Sequence, residues 1–139
     1  MIKRVFIDSD VILDVALARE PFVESSSLVL AILEQRLCAG VISSNIVTNV
    51  YSVLRKLSSS EQARRFWQDL LQIIEVVSAN HNAVMTALAS EFTDLEDGIQ
   101  HFAALEARCD CIVTRNGADY TKASIPVYAP KEFLALFEN

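Results

Sequence analysis

The chain has 139 residues, 52% of them hydrophobic, and a formal net charge of −6 at pH 7. This length suits one domain, residues 1–139, around one core, and charged residues interrupt every apolar stretch before it reaches the roughly 20 residues of a membrane span. The acidic balance is unusual for a protein that binds phosphates through excess Lys and Arg, unless its carboxylates are gathered to hold divalent cations that reverse the local charge.

The apolar segments predict short strands that alternate with helices. In chain order the predicted elements are a strand at 2–7, a helix start at 8–10, a helix that begins at Pro21 and is stopped by Gly40, a strand at 41–43, helices at 45–56 and 61–71, a strand at 73–77, helices at 79–90 and 95–107, strands at 111–114 and 126–128, and a last helix from Pro130.

This alternation predicts an α/β fold, namely a three-layer α/β/α sandwich around a central, mainly parallel sheet. In open sheets of this kind, ligands bind outside the carboxyl ends of the strands. The polar residues that follow predicted strands are Asp8, Ser43, Thr114 and Asn116. They are therefore the first candidates for a functional site.

Acidic residues from three separate segments fall near the same predicted edge. They are Asp8 and Asp10 after the first strand, Asp94 and Asp97 at a helix start, and Asp119 after the fourth strand. Carboxylates gathered without Lys or Arg raise one another's pKa unless a hard divalent cation, most simply Mg²⁺ or Mn²⁺, compensates their charge. Each acid taken singly is explained equally well as a helix cap or turn residue, so position alone leaves both interpretations open.

Two further residues lie near these acids. His101, four residues after Asp97, shares a helix face with it and would be placed to orient a carboxylate or phosphate, although a structural role is favoured. Arg115 stands at a predicted strand end, where it would be placed to contact a phosphate. With three glycines in the chain, there is no P-loop or dinucleotide fingerprint, and no Gly-x-Ser-x-Gly motif is present.

The N-terminal segment and the cysteines predict a cytoplasmic protein. Asp8 interrupts the first apolar run too early for a signal peptide. Cys38, Cys109 and Cys111 form an odd, sparse set that suits reduced, buried thiols. No second Cys or His pair accompanies Cys109 and Cys111, so no zinc site is expected.

Three sequence blocks, in order along nearly the whole chain, resemble the PIN domain family. The first is VFIDSDVILD at 5–14, in which Asp8 matches the first acid of the family's site and Ser9 its small polar position. The second is DLEDGIQH at 94–101, in which Asp97 matches a central acid and Asp94 an accompanying one. The third is CIVTRNGADY at 111–120, in which Asp119 matches the closing acid.

The resemblance implies a metal-dependent ribonuclease that hydrolyses RNA phosphodiesters. It assigns Asp8, Asp97 and Asp119 to hold one or two Mg²⁺ or Mn²⁺ ions, with Asp94 as a further candidate ligand. Thr114 and Asn116 would orient carboxylates or metal-bound water. The chain looks most like the VapC-type toxins within this family, which implies an antitoxin protein as partner, self-association as a homodimer, and no membrane partner.

Asn49 departs from the family pattern, because many PIN nucleases carry Glu at the position that Asn49 matches. An amide oxygen can still ligate a hard metal or hold its water, but the site has one negative charge fewer and should bind the ion more weakly. Some VapC-like relatives resemble this chain in having Asn there. The departure favours a rival hypothesis, a PIN-like module that binds RNA or protein without catalysis. A response-regulator-like or phosphatase-like domain with an acidic Mg²⁺ pocket is a second rival, although no Lys is evident at the strand end where such sites need one.

Overall fold

The structure, a computed structural model, describes residues 1–138. In this part of the chain there are five strands: β1 (Arg4–Ile7), β2 (Ala39–Ser43), β3 (Ile74–Val77), β4 (Cys111–Val113) and β5 (Val127–Tyr128). They form one parallel sheet in the order β3-β2-β1-β4-β5. Val5, Phe6 and Ile7 of the central strand β1 are fully buried, as expected for a parallel sheet that is covered on both faces.

The helices of residues 1–138 are α1 (Ser9–Ala16), α2 (Val23–Glu34), α3 (Ser44–Leu57), α4 (Ser60–Leu70), α5 (His81–Ala89), α6 (Leu95–Glu106) and α7 (Pro130–Ala135), together with a short 3₁₀ helix, Gly117–Tyr120. They flank the sheet, so the predicted three-layer α/β/α sandwich is confirmed. Helix α3 shows why these segments dock as helices: Ile46, Val50 and Leu54 are spaced four residues apart and are buried along one face.

The strand order separates this fold from the response-regulator-like hypothesis. A flavodoxin-like sheet has the order 2-1-3-4-5, whereas here β2 and β3 lie on one side of β1 and β4 and β5 lie on the other. The reversal at β1 and β4 is a topological switch point, and it opens a crevice outside the carboxyl ends of these two strands.

The predicted bounds of helix α2 are wrong at both ends. The helix begins at Val23 rather than Pro21, because residues 19–22 form a separate turn in which Phe22 N donates to Arg19 O. It ends at Glu34 because Arg36 takes a left-handed conformation, with a φ of 60°, in a Schellman motif closed by Leu37 N donating to Ile32 O.

Gly40 therefore does not stop a helix but lies inside β2. A Cβ atom on this residue would lie 2.5 Å from Cδ1 of Leu33 on helix α2. Glycine is present here because the helix packs closely against the strand, not because the backbone needs a left-handed conformation.

None of the helices in residues 1–138 has both the length and the apolar character needed to span a bilayer. The three cysteines are free, buried thiols, as predicted.

Candidate functional site

The crevice between β1 and β4 brings together polar residues that are far apart in sequence. Asp8 follows β1 and Thr114 follows β4. The backbone fixes the two strand ends against each other, since Asp8 N donates to Val113 O at 3.0 Å. The open edge of the sheet at this crevice carries the predicted acids, and we call Asp8, Asp10, Asp94, Asp97 and Asp119 the acidic edge.

Asp8 is the most tightly held acid of this edge, with 7% of its surface exposed. It is the N-cap of α1, where its Oδ1 accepts from Ser9 N at 2.7 Å. Its Oδ2 lies 2.9 Å from Thr114 Oγ1 and accepts from the Tyr120 hydroxyl at 3.3 Å. Burial raises the pKa of Asp8 and the charge of Asp119 raises it further, while these hydrogen bonds oppose the rise.

Asp10 shares the hydroxyl of Thr114 with Asp8. Its Oδ2 lies 3.1 Å from Thr114 Oγ1, and it accepts from Arg115 N at 3.0 Å and from Asn116 Nδ2 at 2.9 Å. A hydroxyl has one hydrogen to donate, so it cannot satisfy both carboxylates at once. Burial, followed by the charge of Asp8, raises the pKa of Asp10 to about 6, and its Oδ1 is buried without a hydrogen-bond partner among residues 1–138.

The start of helix α6 supplies two more acids. Asp94 is the N-cap of this helix, and its Oδ1 accepts from Asp97 N at 3.0 Å. The interpretation of Asp94 as a helix cap is therefore correct. Asp97 is half-buried. Burial raises its pKa to about 7, and the charges of Asp94, Asp8, Asp119 and Glu96 add to this rise. The helix start therefore faces the end of β1.

Asp119 lies in the 3₁₀ helix after β4 and is exposed. Its backbone N donates to Asn116 O at 2.9 Å, which fixes the turn that carries it. The charge of Asp119 raises the pKa of both Asp8 and Asp97. The structure thus brings Asp8, Asp97 and Asp119, from three separate segments, into electrostatic contact at one edge of the sheet.

Asn49 projects from α3 toward the start of α6. It is exposed, and its Nδ2 donates to Glu96 Oε1 at 3.3 Å. The charge of Glu96 also raises the pKa of Asp97. A carboxylate on α6 therefore lies next to residue 49, the position on α3 at which many PIN nucleases have an acid.

Arg115 is placed differently from the prediction. Its Nε and Nη2 donate to the two oxygens of the fully buried Asp14 at 2.6 and 3.0 Å. Its guanidinium carbon lies 3.8 Å from the ring centroid of Phe22. The expected phosphate contact is therefore not supported, because the guanidinium is held in a structural ion pair with α1.

His101 is 1% exposed and points into the core. Its Nε2 accepts from Ser124 N at 3.0 Å, and its ring centroid lies 5.0 Å from that of Phe92 and 4.6 Å from that of Phe102. Burial lowers the pKa of His101, which favours the neutral ring. This environment agrees with the structural role favoured from sequence.

The oxygen-rich acidic edge fits a hard cation that keeps part of its water shell. Among residues 1–138, no group of three His, Cys, Asp or Glu side chains lies close enough together to hold a metal ion by itself. Mg²⁺ is commonly held by one or two carboxylates plus waters. The two carboxylates that compete for one Thr114 hydroxyl, and the unpartnered Oδ1 of Asp10, are the features that such a cation would compensate.

Comparison with known proteins agrees with this geometry. A model of the PIN domain matches residues 4–118. This chain belongs to the PIN domain family. It is 27% identical over 136 residues to ribonuclease VapC1 of Aquifex aeolicus, with 94% of this chain and 93% of that protein aligned.

Solved structures that are similar to this PIN domain in fold include the following two. One is a toxin-antitoxin complex from Klebsiella pneumoniae, with a TM-score of 0.70 and 21% identity, covering 91% of this chain and 97% of that one. The other is VapC20 of Mycobacterium tuberculosis, described as a sarcin-ricin loop cleaving toxin, with a TM-score of 0.66 and 10% identity, covering 85% of this chain and 94% of that one.

Sequence reasoning missed three residues that organise the edge of this PIN domain. Tyr120 is 2% exposed and donates to Asp8, a contact that the sequence did not predict. Glu96 contacts Asn49, and its position next to Asp97 was the available signal. Asp14 anchors Arg115, and an acid on the buried face of an apolar helix start could have indicated a paired cation.

Proposed function

We propose that this protein is a metal-dependent endoribonuclease that hydrolyses RNA phosphodiesters, and that it is the toxin of a toxin-antitoxin pair. The observation that carries the proposal is the crowding of the acidic edge, where Asp8 and Asp10 share one Thr114 hydroxyl and Oδ1 of Asp10 is buried without a partner in residues 1–138. Burial, followed by the charges of neighbouring acids, also raises the pKa of Asp97 to about 7. Burial and repulsion disfavour the charged form of these carboxylates, and a bound cation would relieve that penalty. The ribonuclease relative from Aquifex aeolicus supports RNA as the substrate.

In this proposal Asp8, Asp97 and Asp119 hold Mg²⁺ or Mn²⁺ directly or through its water shell, and Asp94 and Asn49 are further candidate ligands. When bound, the ion supplies positive charge for the phosphate and lowers the pKa of a bound water. Ser9, through its backbone N–H, fixes one oxygen of Asp8. Metal ligands that are fixed by hydrogen bonds of this kind keep their orientation while negative charge develops on the substrate.

Thr114 and Asn116 are positioning residues in the proposed reaction. Thr114 contacts Asp8 and Asp10 through its hydroxyl, and Asn116 holds Asp10 through its Nδ2. Asn116 N also donates to Thr114 Oγ1 at 3.1 Å, so the loop after β4 is tied to the carboxylates that it orients. Without these contacts Asp8 and Asp10 would lose their fixed orientation.

The proposed partners are an RNA substrate, an antitoxin protein and a second copy of this chain. The Klebsiella pneumoniae neighbour is a toxin-antitoxin complex, which supports an antitoxin. Helix α5 exposes 54% of Met85 and 60% of Leu88, three residues apart on one face, which supports a helical homodimer contact. The three free, buried thiols suit the reducing cytoplasm, where the proposed RNA target is found.

The deciding experiment compares Asp97→Asn with the matched variant Asp69→Asn, which removes an exposed acid of α4 far along the chain from the acidic edge. We expect Asp97→Asn to lose Mn²⁺ binding by calorimetry and to abolish Mn²⁺-dependent cleavage of a mixture of structured RNAs, because it removes a ligand oxygen and its charge together. Asp69→Asn should retain both. Equal metal binding in the wild type and Asp97→Asn would contradict the site.

The second candidate function is an RNA- or protein-binding module without catalysis, and Asn49 is the observation that favours it, since an amide replaces the common carboxylate. This module would bind Mn²⁺ and RNA normally but would cleave none of the RNAs tested at any metal concentration.

A further inference from the structure

Basic residues are concentrated on the hairpin formed by helices α3 and α4. Four of the 12 Lys and Arg residues of the chain lie on it, namely Arg55, Lys56, Arg64 and Arg65. Glu61 is the one acid in residues 44–68, although the whole chain has a net charge of −6. The hairpin is therefore positive in a protein whose remaining part is strongly negative.

Three of these four cations are not neutralised by a carboxylate. Arg65 forms an ion pair with Glu61 at 3.5 Å. The other three are exposed and take part in none of the ion pairs found within residues 1–138. We call these three the basic hairpin patch, which consists of Arg55, Lys56 and Arg64.

The patch extends across both helices of the hairpin. The guanidinium carbon of Arg64 on α4 lies 5.8 Å from the ring centroid of Tyr51 on α3. Tyr51 is one helical turn before Arg55, so these two residues lie on the same side of α3. Arg55 and Arg64 therefore flank one aromatic ring, and their charges lie on the same side of the hairpin.

Helix α3 leads from the acidic edge to this patch. Asn49 is the residue of α3 that contacts Glu96, the neighbour of Asp97 in sequence. Lys56 follows Asn49 by seven residues, which places it on the same helix face, two turns and about 10 Å further along the axis. An RNA strand that has one phosphate at the acidic edge would pass Lys56 within its next few nucleotides.

The exposed side chains along this path are suited to a phosphate backbone. In residues 44–56 every exposed side chain is polar or charged. The core of a protein interface is usually apolar and depleted of charge, whereas phosphates are contacted by Lys, Arg, Ser, Thr and Asn side chains. Ser52, between Asn49 and Lys56, is also exposed. This surface therefore fits a nucleic acid strand better than an acidic protein.

We propose that the basic hairpin patch binds backbone phosphates of the RNA on one side of the scissile bond. Lys56 contacts a phosphate close to the acidic edge, and Arg55 and Arg64 contact phosphates beyond it. The patch thereby gives a negatively charged protein a local attraction for RNA. The proposal rests on the proposed ribonuclease function for RNA as the partner, but RNA binding can be measured without hydrolysis.

The first test measures the binding of a short, fluorescein-labelled single-stranded RNA by anisotropy in EDTA, so that neither metal nor hydrolysis contributes. The patch variant combines Arg55→Gln, Lys56→Gln and Arg64→Gln. The control variant removes the same charge from three exposed residues that precede β1, β2 and β4, at the opposite edge of the sheet. It combines Lys3→Gln, Arg36→Gln and Arg108→Gln.

We expect the patch variant to bind the RNA at least about tenfold more weakly than the wild type at low salt. The slope of log Kd against log salt concentration should fall by about 2, because each phosphate contact on a single strand contributes about 0.7. The control variant should stay within about twofold of the wild type, with an unchanged slope. Lys56→Arg, which keeps the charge, should bind like the wild type.

Three outcomes of this test would overturn the proposal. They are equal losses in the patch and control variants, no loss in the patch variant, and no RNA binding by the wild type. Labelled polyglutamate provides a further comparison and should bind the wild type much more weakly than RNA does. Tighter binding of polyglutamate than of RNA, lost in the patch variant, would replace RNA by an acidic protein as the partner.

The second test locates the phosphate that Lys56 contacts. Single methylphosphonates, each of which removes one phosphate charge, are placed along an RNA that the wild type cleaves with Mn²⁺. At one position within a few nucleotides of the cut, the substitution should lower kcat/KM about fivefold in the wild type, with kcat retained, and less than twofold in Lys56→Gln. Equal effects in the two proteins at every position would show that Lys56 contacts no phosphate.

Failure of the proposed function gives a different result from failure of the patch. If the protein is not a ribonuclease, no RNA is cleaved with Mn²⁺, but RNA binding in EDTA still depends on the patch. If the patch proposal is wrong, the wild type cleaves RNA with Mn²⁺ while the patch variant binds it as tightly as the control variant.

Discussion

The contact between Asn49 and Glu96 changes how the missing acid of α3 is understood. The sequence indicated that the site had lost a negative charge, yet Asn49 Nδ2 donates to a carboxylate that extends from α6. The charge of that carboxylate also raises the pKa of Asp97. A carboxylate from a different helix therefore lies beside the amide at residue 49.

This arrangement predicts the effect of Asn49→Glu. The new carboxylate would lie beside Glu96 and repel it, so the metal-free site would be more strained and a bound cation would relieve more repulsion. We expect Mn²⁺ affinity, measured by calorimetry, to rise about tenfold. Thr48→Glu, which adds the same charge at the adjacent exposed position of α3, is the control and should change the affinity much less. An unchanged affinity in Asn49→Glu would show that residue 49 does not face the ion.

At the scale of secondary structure, the strands carried most of the predictive information. Apolar runs that stop abruptly at polar residues located the ends of β1, β2 and β4, and the rule for parallel sheets then placed Asp8, Ser43 and Thr114 at one edge. The end of α2 was not predictable in the same way, because Arg36 takes a left-handed position usually given to glycine. Tertiary contacts rather than local pattern decide such positions.

The side-chain partners at the edge could be predicted less well than the edge itself. Arg115 was placed correctly at a strand end, but its orientation depends on Asp14, about a hundred residues earlier in the chain. Tyr120 reaches Asp8 across a similar separation. A single sequence gives no measure of which long-range pairs meet, so these contacts required the structure.

Asp8 caps helix α1 and also carries a negative charge at the acidic edge, and two variants can separate these roles. Asn can still cap the helix while removing the charge, whereas Ala removes both. We expect Asp8→Asn to retain most of the stability but lose Mn²⁺-dependent cleavage. Asp8→Ala should lose cleavage and about 1–2 kcal/mol in the free energy of unfolding, measured by urea denaturation. Equal stability of the two variants would mean that the cap contributes little to α1.

At the scale of the whole molecule, the acidic edge makes stability depend on pH in the sense opposite to ordinary acid denaturation. The pKa of Asp97 is raised from 3.8 to about 7 and that of Asp10 from 3.8 to about 6. Between these values the folded protein holds more protons than the unfolded chain, so its free energy of unfolding falls as the pH rises. This contribution is fully present below the unfolded pKa of 3.8.

We therefore expect the metal-free protein to become less stable between about pH 4 and pH 7 in urea denaturation. Asp97→Asn should reduce this slope, because it has no proton to lose in that range. Mn²⁺ added at pH 7 should restore the stability of the wild type, since an ion that binds only the folded state stabilises it. A metal-free profile that rises steadily with pH would contradict the raised pKa of Asp97 and Asp10.

The close approach of Leu33 to Gly40 gives the molecule a pair of residues whose substitutions should be tolerated only together. Gly40→Ala alone would press its methyl group on Leu33 Cδ1, at the 2.5 Å separation of the two atoms, and should lower the free energy of unfolding by about 1–3 kcal/mol. Because Leu33 Cδ1 is the tip of a flexible side chain, Leu33→Val in the same chain should recover part of this loss. If the chain acts as the proposed toxin, cells that produce Gly40→Ala should survive at raised temperature, and adding Leu33→Val to the same chain should restore the toxicity. A double variant no more stable than Gly40→Ala alone would show that the strand, rather than the side chain, absorbs the clash.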